Sequence, residues 1–145
     1  MKRIIALTIA AVLPTTLVAE AAEPTAPSPI MAMGAYVPSD DMDGSEAFYR
    51  TLFDSAPLIE LPDFVAFSVA GGWFAIVSRD KYAPDSRPGS GAVPYLQSSD
   101  LKALQARAIA SGMTTLEIIE EPGIHLLKIT DPNGQLIEFF KLTGQ

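Results

Sequence analysis

The sequence contains no cysteine and only one histidine among its 145 residues. The absence of cysteine excludes disulfide bonds, thiolate-bound zinc, iron–sulfur clusters and a cysteine nucleophile. A single histidine also excludes the two-histidine and three-histidine metal sites within one chain. Much of the common chemistry of metalloenzymes and thiol enzymes is therefore ruled out before any motif is considered.

Basic residues are scarce as well. The sequence has ten Lys and Arg and seventeen Asp and Glu, which gives a formal net charge of −7. A field of this sign repels phosphate backbones and anionic membrane surfaces, so we expect no nucleic-acid partner. With 19% charged and 48% hydrophobic residues, the composition is that of a globular protein. The length corresponds to about one domain.

The amino terminus has the pattern of a targeting segment. A basic start, an apolar run and the small-residue sequence Ala19-Glu20-Ala21 predict a secretory signal peptide over residues 1–21. The apolar run is interrupted by Pro14 and falls short of the about 20 residues that a membrane span needs. We therefore expect no stable membrane anchor after processing, and a periplasmic or secreted protein. Residues 22–32 are rich in proline and predict a flexible linker.

An internal repeat organises the rest of the chain. Residues 36–42 and 95–101 align at an offset of 59 residues and share Tyr, Ser and Asp at equivalent positions. Each copy continues into an amphipathic helix and three strand-like runs, so the chain reads as βαβββ twice. Module 1 covers residues 33–78, module 2 covers residues 92–142, and the Pro- and Gly-rich linker 79–92 joins them.

Two motifs accompany the repeat: Asp41 is followed seven residues later by Phe48-Tyr49, and the sequence from Asp131 to Phe139 reads D-P-N-G-x-x-I-E-F. Together they resemble the vicinal oxygen chelate (VOC) superfamily, which includes glyoxalase I and bleomycin-binding proteins. The resemblance covers residues 33–142. It implies an α+β fold in which two paired βαβββ modules form a curved mixed sheet with a concave cavity, as in glyoxalase/bleomycin-resistance proteins. It also implies a homodimer.

The resemblance identifies three positions at which metal-using relatives carry ligands. They fall at the start of each module's first strand, on Gly34 and Val93, and in the final strand, on Glu138. Gly34 and Val93 have no atom that binds a divalent cation, in either subunit of a dimer. One carboxylate cannot replace the three or four protein ligands of a catalytic metal site. We therefore predict no metal site and no cofactor.

The closing hairpin predicts what stands beside Glu138. Pro132 and Gly134 favour a three-residue turn with a bulge, and that turn places Lys128 across from Glu138 on the concave face. Lys128 is then expected to take the electrostatic role of the missing cation, holding Glu138 ionised or binding an anionic ligand group. A rim ion pair that contributes about 0–1 kcal/mol is the alternative.

Alternation along the first strand of each module directs further side chains toward the cavity. Tyr36, Tyr95 and Gln97 share the faces of Gly34 and Val93 and suit the orientation of a small polar ligand, although tyrosines are also ordinary strand residues. The linker 79–92 is either a lid over the cavity or a solvated loop. The only histidine, His125, falls on the helix-packed side and is expected to be structural.

Two function classes remain. The first is an exported VOC-fold protein that binds a small organic molecule, aromatic or anionic, without a divalent metal. The alternative is a metal-independent isomerase or lyase of the glyoxalase type, with Glu138 as general base and Lys128 or a tyrosine stabilising an oxyanion. A neighbouring ammonium stabilises the ionised carboxylate and so weakens it as a base. This conflict favours binding over catalysis.

Overall fold

The computed structural model describes residues 32–113 and 116–144. The predicted signal peptide and all but the last residue of the predicted linker 22–32 lie outside these residues. The elements in chain order are β1 (Gly34–Ser39), α1 (Met42–Phe53), β2 (Ile59–Leu61), β3 (Phe64–Val69), β4 (Gly72–Ser78), α2 (Arg79–Tyr82), β5 (Tyr95–Gln97), α3 (Leu101–Ala110), β6 (Ile118–Glu121), β7 (Ile124–Thr130) and β8 (Leu136–Leu142). Within the described ranges, no helix is long and apolar enough to cross a membrane.

The strands form two four-stranded mixed sheets, in the orders β1-β4-β3-β2 and β5-β8-β7-β6. In each sheet the first strand of the module runs parallel to its last strand, and the other pairs are antiparallel. The predicted α+β fold of two βαβββ modules is confirmed. Each module keeps its own hydrogen-bonded sheet, however, instead of sharing one continuous ladder. Pro38 in β1 faces away from β4 and lacks the N–H that pairing with a further strand would use.

The repeated Ser and Asp residues perform the same task in both modules. The carboxylates of Asp41 and Asp100 cap α1 and α3, each accepting a hydrogen bond of 3.0 Å from a backbone N–H in the first turn of its helix. The hydroxyls of Ser39 and Ser98 in turn accept from the N–H of Asp41 and Asp100. The repeat is therefore a strand-to-helix junction that satisfies helix N–H groups lacking an intrahelical partner.

A single hydrophobic core joins the two modules. Helices α1 and α3 pack against each other and against the strands of their own modules. The cluster combines buried side chains from both helices and both sheets: Val37, Phe48, Tyr49, Leu52, Val65, Phe67, Phe74, Ile76, Leu101, Leu104, Ala108, Leu127, Ile129, Ile137 and Phe139. Burial of each large side chain contributes about 1.5–3 kcal/mol, so this contact holds the modules together. On the opposite face of the first sheet, a smaller buried cluster of Ala66, Ala75 and Val77 packs with Ile59 and Phe64.

The closing hairpin has the predicted register. The Asp131 N–H donates to the Gln135 carbonyl at 2.9 Å across the three-residue turn, and Lys128 lies opposite Glu138. Gly134 adopts φ +81°, a left-handed conformation that favours glycine. His125 shares the helix-facing side of β7 with buried Leu127, as the alternation predicts.

The Asp131 carboxylate, 4% exposed, links this hairpin to module 1. One carboxylate oxygen, Oδ1, accepts hydrogen bonds from the backbone N–H groups of Asn133 and Gln135, each at 2.8 Å. The other, Oδ2, accepts from the Tyr49 hydroxyl at 2.8 Å. Nearby, the Asn133 side chain donates to the Ser45 hydroxyl at 2.7 Å. These buried polar contacts between distant segments fix the turn against the start of α1.

Burial and the adjacent Asp131 carboxylate raise the pKa of Tyr49 far above its ordinary value. The hydroxyl is therefore a permanent donor in the folded protein. Because the folded-state pKa lies above the unfolded one, the stabilisation is complete below the unfolded pKa of about 10 and is lost as the pH rises beyond it.

We expect Tyr49→Phe to lower the free energy of unfolding by about 1–3 kcal/mol at neutral pH, because Asp131 then lacks a buried donor. The variant should also lose part of the fall in stability that the natural protein undergoes above pH about 10. Urea denaturation at neutral and alkaline pH measures both effects. Tyr82→Phe, at a half-exposed tyrosine, is the matched control and should change neither. Equal stability of Tyr49→Phe and the natural protein would contradict the role assigned to this contact.

Candidate functional site

A cavity of about 720 Å³ opens where the first strands of the two modules approach each other. Its walls come from β1, the start of β4, β5 and residues 83–94, here called the strap. Small-molecule sites typically enclose about 300–1,000 Å³, so the cavity is large enough for a metabolite-sized organic compound.

Three aromatic rings on this wall stay half-exposed. Tyr36, Trp73 and Tyr95 keep 59%, 47% and 51% of their surface accessible although the protein has a well-packed core. All three stand on the sheet faces opposite the helices, because strand alternation sends neighbouring residues such as Phe74 into the core. Aromatic rings grouped around one hollow, rather than scattered over the surface, indicate a contact surface for a ligand.

The cavity wall carries no charged side chain among the described residues. Its polar side-chain groups are the tyrosine hydroxyls, the Trp73 indole N–H, and the side chains of Ser86, Ser90 and Gln135. The Ser86 hydroxyl donates to the Ala83 carbonyl at 2.7 Å, and the Ser90 hydroxyl donates to the Arg87 carbonyl at 2.6 Å. Both serines therefore use their protons to hold the strap. The result is an uncharged, largely apolar chamber.

The strap is held in place at its start by the buried Arg79, which is 8% exposed. The Arg79 guanidinium donates to the Asp40 carboxylate at 2.7 Å, the Pro38 carbonyl at 3.1 Å and the Ser86 hydroxyl at 2.8 Å. It thus ties β1 to the strap with several hydrogen bonds, which fixes its geometry.

The strap also rests on the closing hairpin. A Cβ atom added to Gly89 would lie 2.6 Å from the Gly134 carbonyl oxygen, so the two backbones touch directly. Of the cationic residues in the linker 79–92, Lys81 pairs with Asp63, and Arg79 is buried in its own hydrogen-bond network. The linker does cover the cavity, but it does so with small and polar residues.

The predicted site residues separate into two groups. Tyr36 and Tyr95 line the cavity, whereas Gln97, Lys128 and Glu138 lie outside its wall. The ammonium of Lys128 is 3.4 Å from Glu138 Oε2, with side-chain exposures of 49% and 18%. A pair with one half-exposed partner contributes about 0–1 kcal/mol.

Tyr95 lies between these two groups. It is the register partner of Glu138 in the parallel ladder, and its ring stacks on Phe140 with centroids 4.3 Å apart. The Lys128–Glu138 pair is thus a neighbour of the cavity, separated from it by an aromatic ring.

The residues at the metal-ligand positions of the fold do not fit a divalent cation. A Cβ at Gly34 would lie 2.9 Å from the Trp73 carbonyl oxygen, so even a substituted side chain meets the backbone there. Val93 offers only hydrocarbon, and Ala75 occupies in module 1 the register position that Glu138 occupies in module 2. In the described part of the chain, no group of three His, Cys, Asp or Glu could hold a metal.

Sequence reasoning did not assign Trp73 or Gln135 to this site, and it left the linker 79–92 open between a lid and a solvated loop. Alternation from the buried Phe74 could have placed Trp73 on the cavity side. The local sequence could not decide between a lid and a solvated loop, because the contact that holds residues 83–94 over the cavity involves the distant Gly134.

Comparison with known proteins identifies the fold. No family model matches the chain, and no curated protein matches it. In contrast, 132 chains of solved structures match.

Three of these matches illustrate the likeness. A glyoxalase/bleomycin resistance protein from Catenulispora acidiphila is 24% identical with a TM-score of 0.62, over 77% of this chain and 98% of its own. A glyoxalase-related enzyme from Fulvimarina pelagi is 21% identical with a TM-score of 0.65, over 79% and 88%. A lactoylglutathione lyase from Agrobacterium tumefaciens is 23% identical with a TM-score of 0.60, over 80% and 95%.

Proposed function

We propose that this chain, which has the glyoxalase/bleomycin-resistance fold, is an exported protein that binds a small organic molecule in the cavity between its modules without a divalent metal. One observation carries the proposal: three half-exposed aromatic rings surround an uncharged hollow of about 720 Å³. Rings of this kind bind flat ligands by stacking and by burial of apolar surface.

The uncharged wall favours an aromatic ligand over an anionic one. An anion in this cavity would lose its hydration without meeting a lysine or arginine, which is costly. Lys128, the cation that the sequence offered for an anionic ligand group, is already paired with Glu138 on the adjoining sheet face, and Arg79 behind the strap is paired with Asp40. The sequence alone left both ligand classes open, and the cavity wall supports the aromatic class.

Metal independence is supported by the chemistry of the ligand positions. Gly34, Ala75 and Val93 have no side-chain donor atoms, and Glu138 already has an ammonium partner. The neighbouring structures bear names of both lyases and resistance proteins, so the fold by itself does not choose between catalysis and binding. The homodimer implied by the resemblance stays a prediction.

A metal-independent isomerase or lyase is the second candidate. The observation that favours it is the low exposure of the Glu138 side chain, 18%, next to Tyr95 of the cavity wall. As a general base Glu138 would need to touch the substrate proton. Its pairing with Lys128 and its position behind Tyr95 work against that role, so we place binding first.

We expect Tyr36→Ala to weaken the binding of indole, a neutral planar probe, by about 3- to 10-fold because a stacking partner is lost. Isothermal titration calorimetry measures the change. Tyr82→Ala removes a similarly exposed tyrosine outside the cavity and is the matched control, expected to bind indole like the natural protein. Lys128→Met should also leave indole binding unchanged. A loss of binding in Lys128→Met instead would locate the ligand on the Lys128–Glu138 face.

We expect protein purified without added metal to contain far less than one equivalent of any divalent transition metal. Elemental analysis by mass spectrometry checks the content, and titration with indole before and after dialysis against EDTA checks the function. The two titrations should coincide. A stoichiometric metal, or loss of binding after EDTA, would contradict metal independence.

We expect the full-length chain, expressed in a Gram-negative host, to accumulate in the periplasm with Ala22 as its first residue. Intact mass and amino-terminal sequencing of the periplasmic fraction measure both. A variant that lacks residues 1–21 should stay in the cytoplasm and bind indole equally well. Recovery of the uncleaved full-length chain from the membrane fraction would contradict the predicted signal peptide.

A further inference from the structure

Gln135 is the most buried polar side chain on the cavity wall, with 5% of its surface exposed. It follows the D-P-N-G turn directly, and its position is fixed by the backbone bond to Asp131 Oδ1 at 2.8 Å. Its side-chain nitrogen Nε2 donates to the Leu136 carbonyl at 2.8 Å and to the Ala92 carbonyl at 3.4 Å. Both partners are acceptors, so the amide can only be oriented with its nitrogen toward them.

This orientation leaves the amide oxygen Oε1 on the other side of the group. Within residues 32–113 and 116–144, the hydrogen bonds of the Gln135 side chain all involve Nε2. No fully enclosed side-chain oxygen or nitrogen in the described residues lacks a partner, so Oε1 has access to open space. Since Gln135 lines the cavity, we infer that this oxygen opens into it.

The other polar side chains of the wall do not duplicate this acceptor. The serine hydroxyls of the strap are engaged with the strap's own carbonyls, and the hydroxyls of Tyr36 and Tyr95 belong to half-exposed residues that water reaches. Oε1 is different because its residue is almost completely buried. When a flat ligand fills the cavity and displaces water, this oxygen keeps a hydrogen bond only if the ligand provides a donor.

We propose that Gln135 is a specificity-determining residue that selects neutral planar ligands carrying an N–H or O–H group, of the phenol or indole class, over equally apolar ligands without a donor. The inference rests on the proposed binding function and narrows its ligand class. A site with a buried acceptor disfavours an analogue that leaves the acceptor unpaired.

Indole and 1-methylindole form a matched probe pair, because methylation removes the N–H donor and keeps the ring. By calorimetry, the natural protein should bind indole about 3- to 10-fold more tightly than 1-methylindole. In Gln135→Met, which keeps the volume and removes the acceptor, the two affinities should become equal. Gln97→Met, at an exposed glutamine outside the cavity, is the matched control and should keep the preference.

A second variant separates the acceptor from the structural bonds of the same side chain. Gln135→Glu loses the Nε2 bonds to Ala92 and Leu136 but keeps an acceptor oxygen, so it should retain the preference for indole. If Gln135→Met misfolds, as judged by its thermal unfolding, Gln135→Leu removes the acceptor in the same way and should also bind the two probes equally. Equal affinities in Gln135→Glu would then contradict the inference.

The outcomes distinguish the role of Gln135 from the proposed binding of an aromatic ligand in the cavity. One outcome is that the natural protein binds the two probes equally while Tyr36→Ala still weakens the binding of both. That result would overturn the role of Gln135 and would still support the cavity as a site for aromatic ligands. A preference that persists in Gln135→Met would also overturn it. Failure of both probes to bind would contradict the aromatic site itself, and the inference with it.

Discussion

The site depends on the hydrogen bonds of one buried carboxylate, that of Asp131. One of its oxygens closes the β7–β8 turn through backbone N–H groups, and the other holds the Tyr49 hydroxyl of helix α1. The turn sets the strand register, and a slip of one residue would exchange the two faces of the hairpin. Burial of the apolar face, the orientation of Gln135 and the pairing of Lys128 with Glu138 all follow from this register. The same residue also fixes module 2 against module 1.

The cavity exists because the two sheets meet without joining. The hydrophobic core holds the modules together from the helix side, while β1 and β5 each keep one unpaired edge within the described structure. The strap then closes part of this gap, fixed by Arg79 at its start and by the contact of Gly89 with Gly134. A strongly acidic protein thereby encloses an uncharged hollow. Its net charge of −7 suits solubility and does not attract or repel a neutral ligand.

Much of this architecture could be predicted from local patterns. The repeat around Tyr36 and Tyr95, the D-P-N-G turn and strict strand alternation were sufficient for the two modules, the hairpin register and the side of the sheet on which His125 lies. These features are fixed by neighbours within a few residues or by a single turn. The same alternation placed two tyrosines on the cavity wall.

What could not be predicted depends on contacts between distant segments. Alternation tells which face a residue occupies but not how far the face curves, so it could not show that Glu138 and Lys128 lie beside the cavity rather than in it. The strap crosses the hollow because Gly89 meets Gly134, and no periodicity records that meeting.

The register of the two parallel strand pairs makes the two ends of the cavity chemically different. Tyr36 is paired with Ala75 in one module, and Tyr95 is paired with Glu138 in the other. The two ends of the cavity carry similar rings, Tyr36 and Tyr95, but only Tyr95 has a carboxylate, that of Glu138, as its register partner. The backbone of the two modules is repeated, but the charged pair Lys128–Glu138 occurs in module 2 at a position where module 1 has Ala75. The two ends of the cavity are therefore chemically inequivalent, although the backbone that forms them is repeated.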